Sequence, residues 1–267
     1  MIFIGQRKLQ EKLNKYTRET LPKTLLFLGD EGCGKHTLIK MLAEKCALEV
    51  IEISEKFDAE QLIDFTQKTV PTAYIINLTG FTEKQQNQFL KFIEEPSESV
   101  FVMLIANSEI GILPTILNRC VKLRFEQYSR EELQAIANTN ITNDLVFEVC
   151  KTPGMLTGLD TKTFNDLYEL CVKLVTKIRV ASYANTMSIF TKINCKDEYS
   201  KFDFNLFFNT LEYVAFTDFK NTLNEDSFKV YQITNRFKQA RINKTIAKES
   251  FILNFLTQLW KEFHEWL

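Results

Sequence analysis

The stretch NQFLKFIEEPSESVFVMLIANSEIGILPTILNRC, Asn87 to Cys120, decides how the rest of the chain is read. Phe89, Leu90, Phe92 and Ile93 recur at helical spacing, and Glu94-Glu95-Pro96 stops the helix, because proline lacks an N–H and its ring excludes a further turn. Val100 to Ala106 is an apolar run of strand length, the pattern of a strand covered on both faces in a parallel α/β sheet. A polar loop, Asn107 to Gly111, and a short segment then deliver Arg119 beside Cys120.

Upstream, Gln6 to Thr20 reads as an amphipathic helix, and Pro22 resets the backbone before the buried strand Thr24 to Leu28. That strand runs into Gly29-Asp30-Glu31-Gly32-Cys33-Gly34-Lys35, and a helix continues over Thr37 to Ala47. Strand, G-x-x-x-x-G-K and helix in this order form the context of a phosphate-binding loop. Gly29, Gly32 and Gly34 let backbone N–H groups converge on phosphate oxygens, and Lys35 supplies a mobile charge. A hydroxyl should follow the lysine to hold magnesium, but His36 stands there, with Thr37 one residue late and about 100° further round the helix. Two readings stay open: an inherited turn that no longer binds nucleotide, or a loop that holds ATP or ADP without turnover.

Further strands are expected at Val50 to Ile53, Thr72 to Ile76 and Lys122 to Phe125, with a helix over Asp58 to Thr69. A hydrolytic P-loop site carries carboxylates at the end of the strand that Thr72 to Ile76 represents. Here Asn77 and Leu78 occupy those places, and neither can act as a base. Losing a metal ligand and a catalytic carboxylate together implies that any bound nucleotide is not hydrolysed by this chain.

With these pieces in order, the chain resembles the clamp-loader branch of the AAA+ ATPases, most closely the δ′-type subunits of bacterial DNA polymerase III. The residues that carry the likeness are Ile4 to Gln6, Gly29 to Lys35, NQFLKFIEEP at Asn87 to Pro96, and ILPTILNRC at Ile112 to Cys120. The third is similar to the family's N-x-L-L-K-x-L-E-E-P, and Asn118-Arg119-Cys120 to its Ser-Arg-Cys. The resemblance implies an α/β P-loop AAA+ domain with a parallel sheet and flanking helices over 1–125, a small helical lid over 126–160, and an all-α collar domain over 161–267. It implies that Arg119 is an arginine finger acting in trans on ATP held by a neighbouring subunit, and that Asn107 stands at a sensor position. Implied partners are a γ/τ-like ATPase and a δ-like subunit, and through them a sliding clamp and primer-template DNA. The family's four-cysteine zinc module is missing between Ala47 and Pro71, a reduction that points to a divergent bacterial or large-phage source.

Composition narrows the rest. Among 267 residues, 33 basic against 34 acidic side chains leave a net charge of −1, so no global field draws the chain to nucleic acid or anionic lipid. Six scattered cysteines without a C-x-x-C pair, and two histidines, argue against structural zinc or any metal site. No signal peptide or membrane-length apolar run is read in the chain, and a cytoplasmic location with free thiols is expected. Ser129-Arg130-Glu131-Glu132 is a capping box opening a helix. From Thr161 onward the pattern is helical, and the 23 phenylalanines, many of them there, read as core packing rather than stacking platforms. Two rivals to the δ′-like reading are an active γ/τ-like ATPase that uses Thr37 as a displaced magnesium ligand, and a non-replicative AAA+-derived scaffold.

Overall fold

A computed structural model describes residues 3–53, 69–94, 96–137, 139–193, 204–242 and 248–264. The expected helix over Asp58 to Thr69 lies almost wholly outside them. The chain divides into two compact units, Met1–Ala135 and Ile136–Leu267, and the expected lid, 126–160, straddles that division.

The first unit is built on five parallel strands: β1 (Thr24–Leu28), β2 (Glu49–Ile53), β3 (Thr72–Asn77), β4 (Val100–Ala106) and β5 (Val121–Arg124), in the spatial order β2-β3-β4-β1-β5. Every residue of β1 and β4 is buried, as their unbroken apolar runs require of strands covered on both faces. Alternate residues feed two cores. Leu25, Phe27, Ala73, Ile75, Met103 and Ile105 meet Leu38, Ile39 and Leu42 of the helix Lys35–Lys45 on one face. Leu26, Tyr74, Ile76, Val102 and Leu104 meet Phe89, Phe92 and Ile93 of the helix Glu83–Glu94 on the other. Edge strand β2 is largely exposed and carries Glu49 and Glu52, charges that discourage edge-to-edge pairing.

Helix boundaries depart from the sequence reading in three places. The helix expected over Gln6 to Thr20 spans only Arg7–Asn14. Gln6 has a left-handed φ of 56°, and past the helix the Thr17 N–H donates to Thr20 Oγ1 at 2.8 Å, a hydroxyl turn that competes with further helix. The helix expected from Thr37 starts at Lys35, directly on Gly34. The helix read from Asn87 begins at Glu83, where Thr82 and Gln85 form a capping box: the Thr82 N–H donates to Gln85 Oε1 at 2.9 Å and the Gln85 N–H to Thr82 Oγ1 at 3.3 Å.

The Ser129 box forms as read, with the Ser129 N–H donating to Glu132 Oε2 at 2.9 Å and the Glu132 N–H to Ser129 Oγ at 3.2 Å. It opens the helix Arg130–Ile136.

In the second unit the helix Phe204–Thr222 packs against Thr161–Lys177 and Glu225–Ile242, and Tyr183–Ile193 packs against Lys248–Phe263. Its phenylalanines interlock: Phe208 lies 4.9 Å from Phe255 between ring centroids, Phe237 5.2 Å from Phe255, and Phe204 4.8 Å from Phe208.

Phe89 is fully buried and stacks on Phe81 with ring centroids 5.7 Å apart. Phe89→Ala is expected to destabilise the first unit by about 3–5 kcal/mol, read as a lower urea midpoint, while Phe89→Leu loses clearly less.

Candidate functional site

Because β1 lies between β4 and β5, three strand ends converge. The Gly29 N–H donates to Ala106 O at 3.2 Å, and the Phe125 N–H donates to Leu28 O at 2.8 Å. In open parallel sheets, ligands bind outside the carboxyl ends where the strand order reverses, and the loop Gly29 to Gly34 occupies that place. Gly34 has φ 94°, and a Cβ there would stand 2.9 Å from Cζ of Phe3. A side chain at Gly29 would meet Phe125 Cβ at 2.7 Å. Gly32, also at positive φ, sits at the exposed crest.

Lys35 is only 6% exposed. Its ammonium donates to the carbonyls of Gly29 and Asp30, the latter at 2.7 Å, and to Asn107 Oδ1 at 3.4 Å. Three donors thus meet three oxygens, which satisfies a charge taken out of water. Burial pushes the Lys35 ammonium below the usual lysine range, opposed by the nearby Cys33, Asp30 and Glu31. The same burial raises the Cys33 thiol. The lysine is therefore turned inward onto its own loop. His36 is exposed and Thr37 half-buried behind it.

Tyr128, which the sequence did not single out, holds the loop, and Gln6, the end of the Ile4 to Gln6 likeness, holds the segment beyond β5. Tyr128, 9% exposed, donates its hydroxyl to Cys33 O at 2.8 Å, and burial raises its phenol, so it stays a donor. Gln6 clasps the backbone of Glu126, donating from Nε2 to the Glu126 carbonyl at 2.7 Å and accepting from the Glu126 N–H at 2.8 Å. The aromatic four residues beyond the last strand was the available signal for Tyr128.

At the end of β3, Asn77 Oδ1 accepts from the Thr79 N–H at 3.0 Å, a local turn. Leu78 is 3% exposed and belongs to the apolar cluster beneath the helix Glu83–Glu94. Among the described residues, no group of three or more His, Cys, Asp or Glu side chains gathers in a way that could hold a metal ion. No helix there is long and apolar enough to cross a membrane.

Arg119 is set apart from the loop. Pro114 starts the one-turn helix Pro114–Leu117, Asn118 caps it, and the Arg119 N–H donates to Ile116 O at 3.0 Å. Gln86, 1% exposed, ties this segment to the helix Glu83–Glu94. It donates to Gly111 O at 2.7 Å and accepts from the Leu113 N–H at 2.9 Å. The Arg119 guanidinium donates from Nη1 to Thr115 O at 2.9 Å, and its Nη2 lies 3.0 Å from Glu94 Oε1. Neighbouring Cys120 donates to Ile116 O, and burial pushes its thiol up to about 12. The structure thus brings Lys35 and Asn107 together and places Arg119 with a different set of partners.

The first unit is a five-stranded parallel α/β fold in which a glycine-rich loop joins β1 to the helix Lys35–Lys45. The solved structure of the Thermotoga maritima RuvB Holliday junction branch migration motor shares the fold at a TM-score of 0.50 and 18% identity, covering 82% of this chain and 77% of that one. A single-substitution mutant of the same motor gives 0.51 at 17% identity, over 82% of this chain and 78% of its own.

A family model described as DNA polymerase III, delta subunit, matches residues 52–129. Replication factor C subunit 3 of Saccharomyces cerevisiae is 25% identical over 164 residues, 55% of this chain and 47% of its own length. The chain thus spans about half the length of that curated relative. The chain is thus similar to a DNA polymerase III delta subunit over 52–129 and, at 25% identity, to a replication factor C subunit.

Gly34→Ala forces a left-handed alanine against Phe3 and is expected to destabilise the first unit by about 1–3 kcal/mol in thermal or urea unfolding. Gly111→Ala, also at positive φ but with open space around the new methyl, should lose less.

Proposed function

We propose that this chain is a δ′-like, hydrolysis-incompetent subunit of a clamp loader, which donates Arg119 to ATP bound by an adjacent ATPase subunit. The observation that carries the reading is a contrast between two places. Where a hydrolytic site needs carboxylates, Asn77 is engaged with Thr79 and Leu78 sits in the core, whereas Arg119 is about two-fifths exposed just past a braced one-turn helix. A guanidinium so presented can meet a phosphoryl group outside its own chain and stabilise the charge that spreads over it during transfer.

The chain's own loop, Gly29 to Thr37, is a degenerate nucleotide site: any ATP or ADP held there is not turned over, and no magnesium or zinc is assigned. Inward-turned Lys35 is consistent with this, since its donors are matched by Gly29, Asp30 and Asn107. In this reading Asn107 is a sensor-like remnant, 1–125 is the AAA+ domain, 126–160 the lid and 161–267 the collar that joins neighbours. The partners are a γ/τ-like ATPase and a δ-like subunit. The assembled machine works in the cytoplasm and uses ATP to load a sliding clamp onto primer-template DNA.

Arg119→Ala is expected to leave the chain folded, its unfolding free energy changed by no more than about 1 kcal/mol, because only a half-exposed ion pair is lost. The same substitution should lower the ATPase rate of the assembled complex on the order of a thousandfold. The isolated chain, with or without Lys35→Ala, should show turnover indistinguishable from background. Equal rates for wild-type and Arg119→Ala complexes would rule out the finger.

A further inference from the structure

We infer that Glu94 is the positioning residue of Arg119: its carboxylate fixes the guanidinium in one orientation on the surface before a neighbouring subunit docks. The inference rests on the reading of Arg119 as a trans-acting finger.

Glu94 is the last residue of the helix Glu83–Glu94, at the end where the helix dipole disfavours a negative side chain. A carboxylate there is relieved by a cation. That cation is Arg119, at 3.0 Å from Nη2 to Glu94 Oε1. The second contact, Nη1 to Thr115 O at 2.9 Å, attaches the other arm of the same planar group. Two attachments on one plane set its direction, which a single contact would leave free to swivel.

The two attachment points belong to one frame. Gln86 lies on the same helix as Glu94, and through Gly111 O and the Leu113 N–H it holds the loop that leads into Pro114–Leu117, where Thr115 resides. Arg119 is thus bound across two elements whose relative position a buried side chain already sets. With the guanidinium held at Nη1 and Nη2, an arriving phosphate meets a group in place, and the loss of side-chain freedom is no longer charged to the reaction step.

The test compares Glu94→Ala, Glu94→Gln and Arg119→Ala in the assembled complex, measuring kcat and KM for ATP with clamp and primed DNA present. Glu94→Ala should lower kcat roughly tenfold and leave KM unchanged. Glu94→Gln keeps an oxygen acceptor for Nη2 and should recover most of that loss. Glu94→Ala on an Arg119→Ala background should add nothing, since Glu94 acts through the arginine.

A Glu94→Ala complex as fast as wild type or faster, while Arg119→Ala is slow, overturns the positioning role and leaves the finger standing. So does an equal Glu94→Ala loss on both backgrounds. A silent Arg119→Ala overturns the finger itself, and this inference with it. Glu94 is 40% exposed at its side chain, so neither substitution threatens the core.

Discussion

The lodging of β1 between β4 and β5 is the constraint on which the first unit depends. A strand buried on both faces must satisfy its backbone by pairing on both edges, and in a parallel sheet the partners arrive through long crossovers. Here those partners are strands far later in the chain, so β1 cannot settle until β4 and β5 are in place. The consequence appears at the carboxyl ends. Leu28 stands level with Ala106 and Arg124, and the next residues out are the loop glycine Gly29, Asn107 and Phe125. The contact of Lys35 with Asn107, and the closeness of Gly29 to Phe125, follow from that register.

A buried ammonium shapes the loop itself. Isolated in the interior, the Lys35 charge would be costly, and it is kept by three oxygens drawn from its own loop and from Asn107. Neither member of the Asn77–Leu78 pair offers a carboxylate to balance it. Placing one at position 78 is not a surface change, because that side chain lies in the cluster with Phe81, Phe89 and Leu104, where an ionised group has no partner.

How much of this was legible depended on whether the signal was local. β1 and β4 were readable because a fully covered strand is apolar at every position, and the turn from Gly29 to Lys35 because its glycines and lysine keep a short spacing. The Ser129 box forms as read because both its partners lie within one turn. The same motif at Thr82 and Gln85 went unread, since the apolar period begins only at Phe89 and hides the polar first turn. The helix at Arg7 to Asn14 was overextended because Tyr16 keeps the spacing of Leu9 and Leu13, and no glycine or proline marks an end before Pro22. For Arg119 the sequence marked the residue but not its partners within the chain. The identity of Glu94, and the roles of Gln86, Gln6 and Tyr128, are set by tertiary neighbours that no spacing rule encodes.

Magnitudes decide what holds Arg119 where it is. Its ion pair with Glu94 is about two-fifths exposed on both sides, and such pairs contribute roughly 0–1 kcal/mol, screened further by salt. That is enough to choose among side-chain orientations but not enough to hold two backbone elements together. Gln86 is the stronger tether. Gln86 is 1% exposed, and its two neutral hydrogen bonds, to the Gly111 carbonyl and from the Leu113 N–H, contribute about 0.5–1.5 kcal/mol each. The frame is therefore set by the neutral hydrogen bonds of a buried side chain and the final aim by an exposed charge pair. This division lets the direction of a surface guanidinium be set without cost to the frame beneath it.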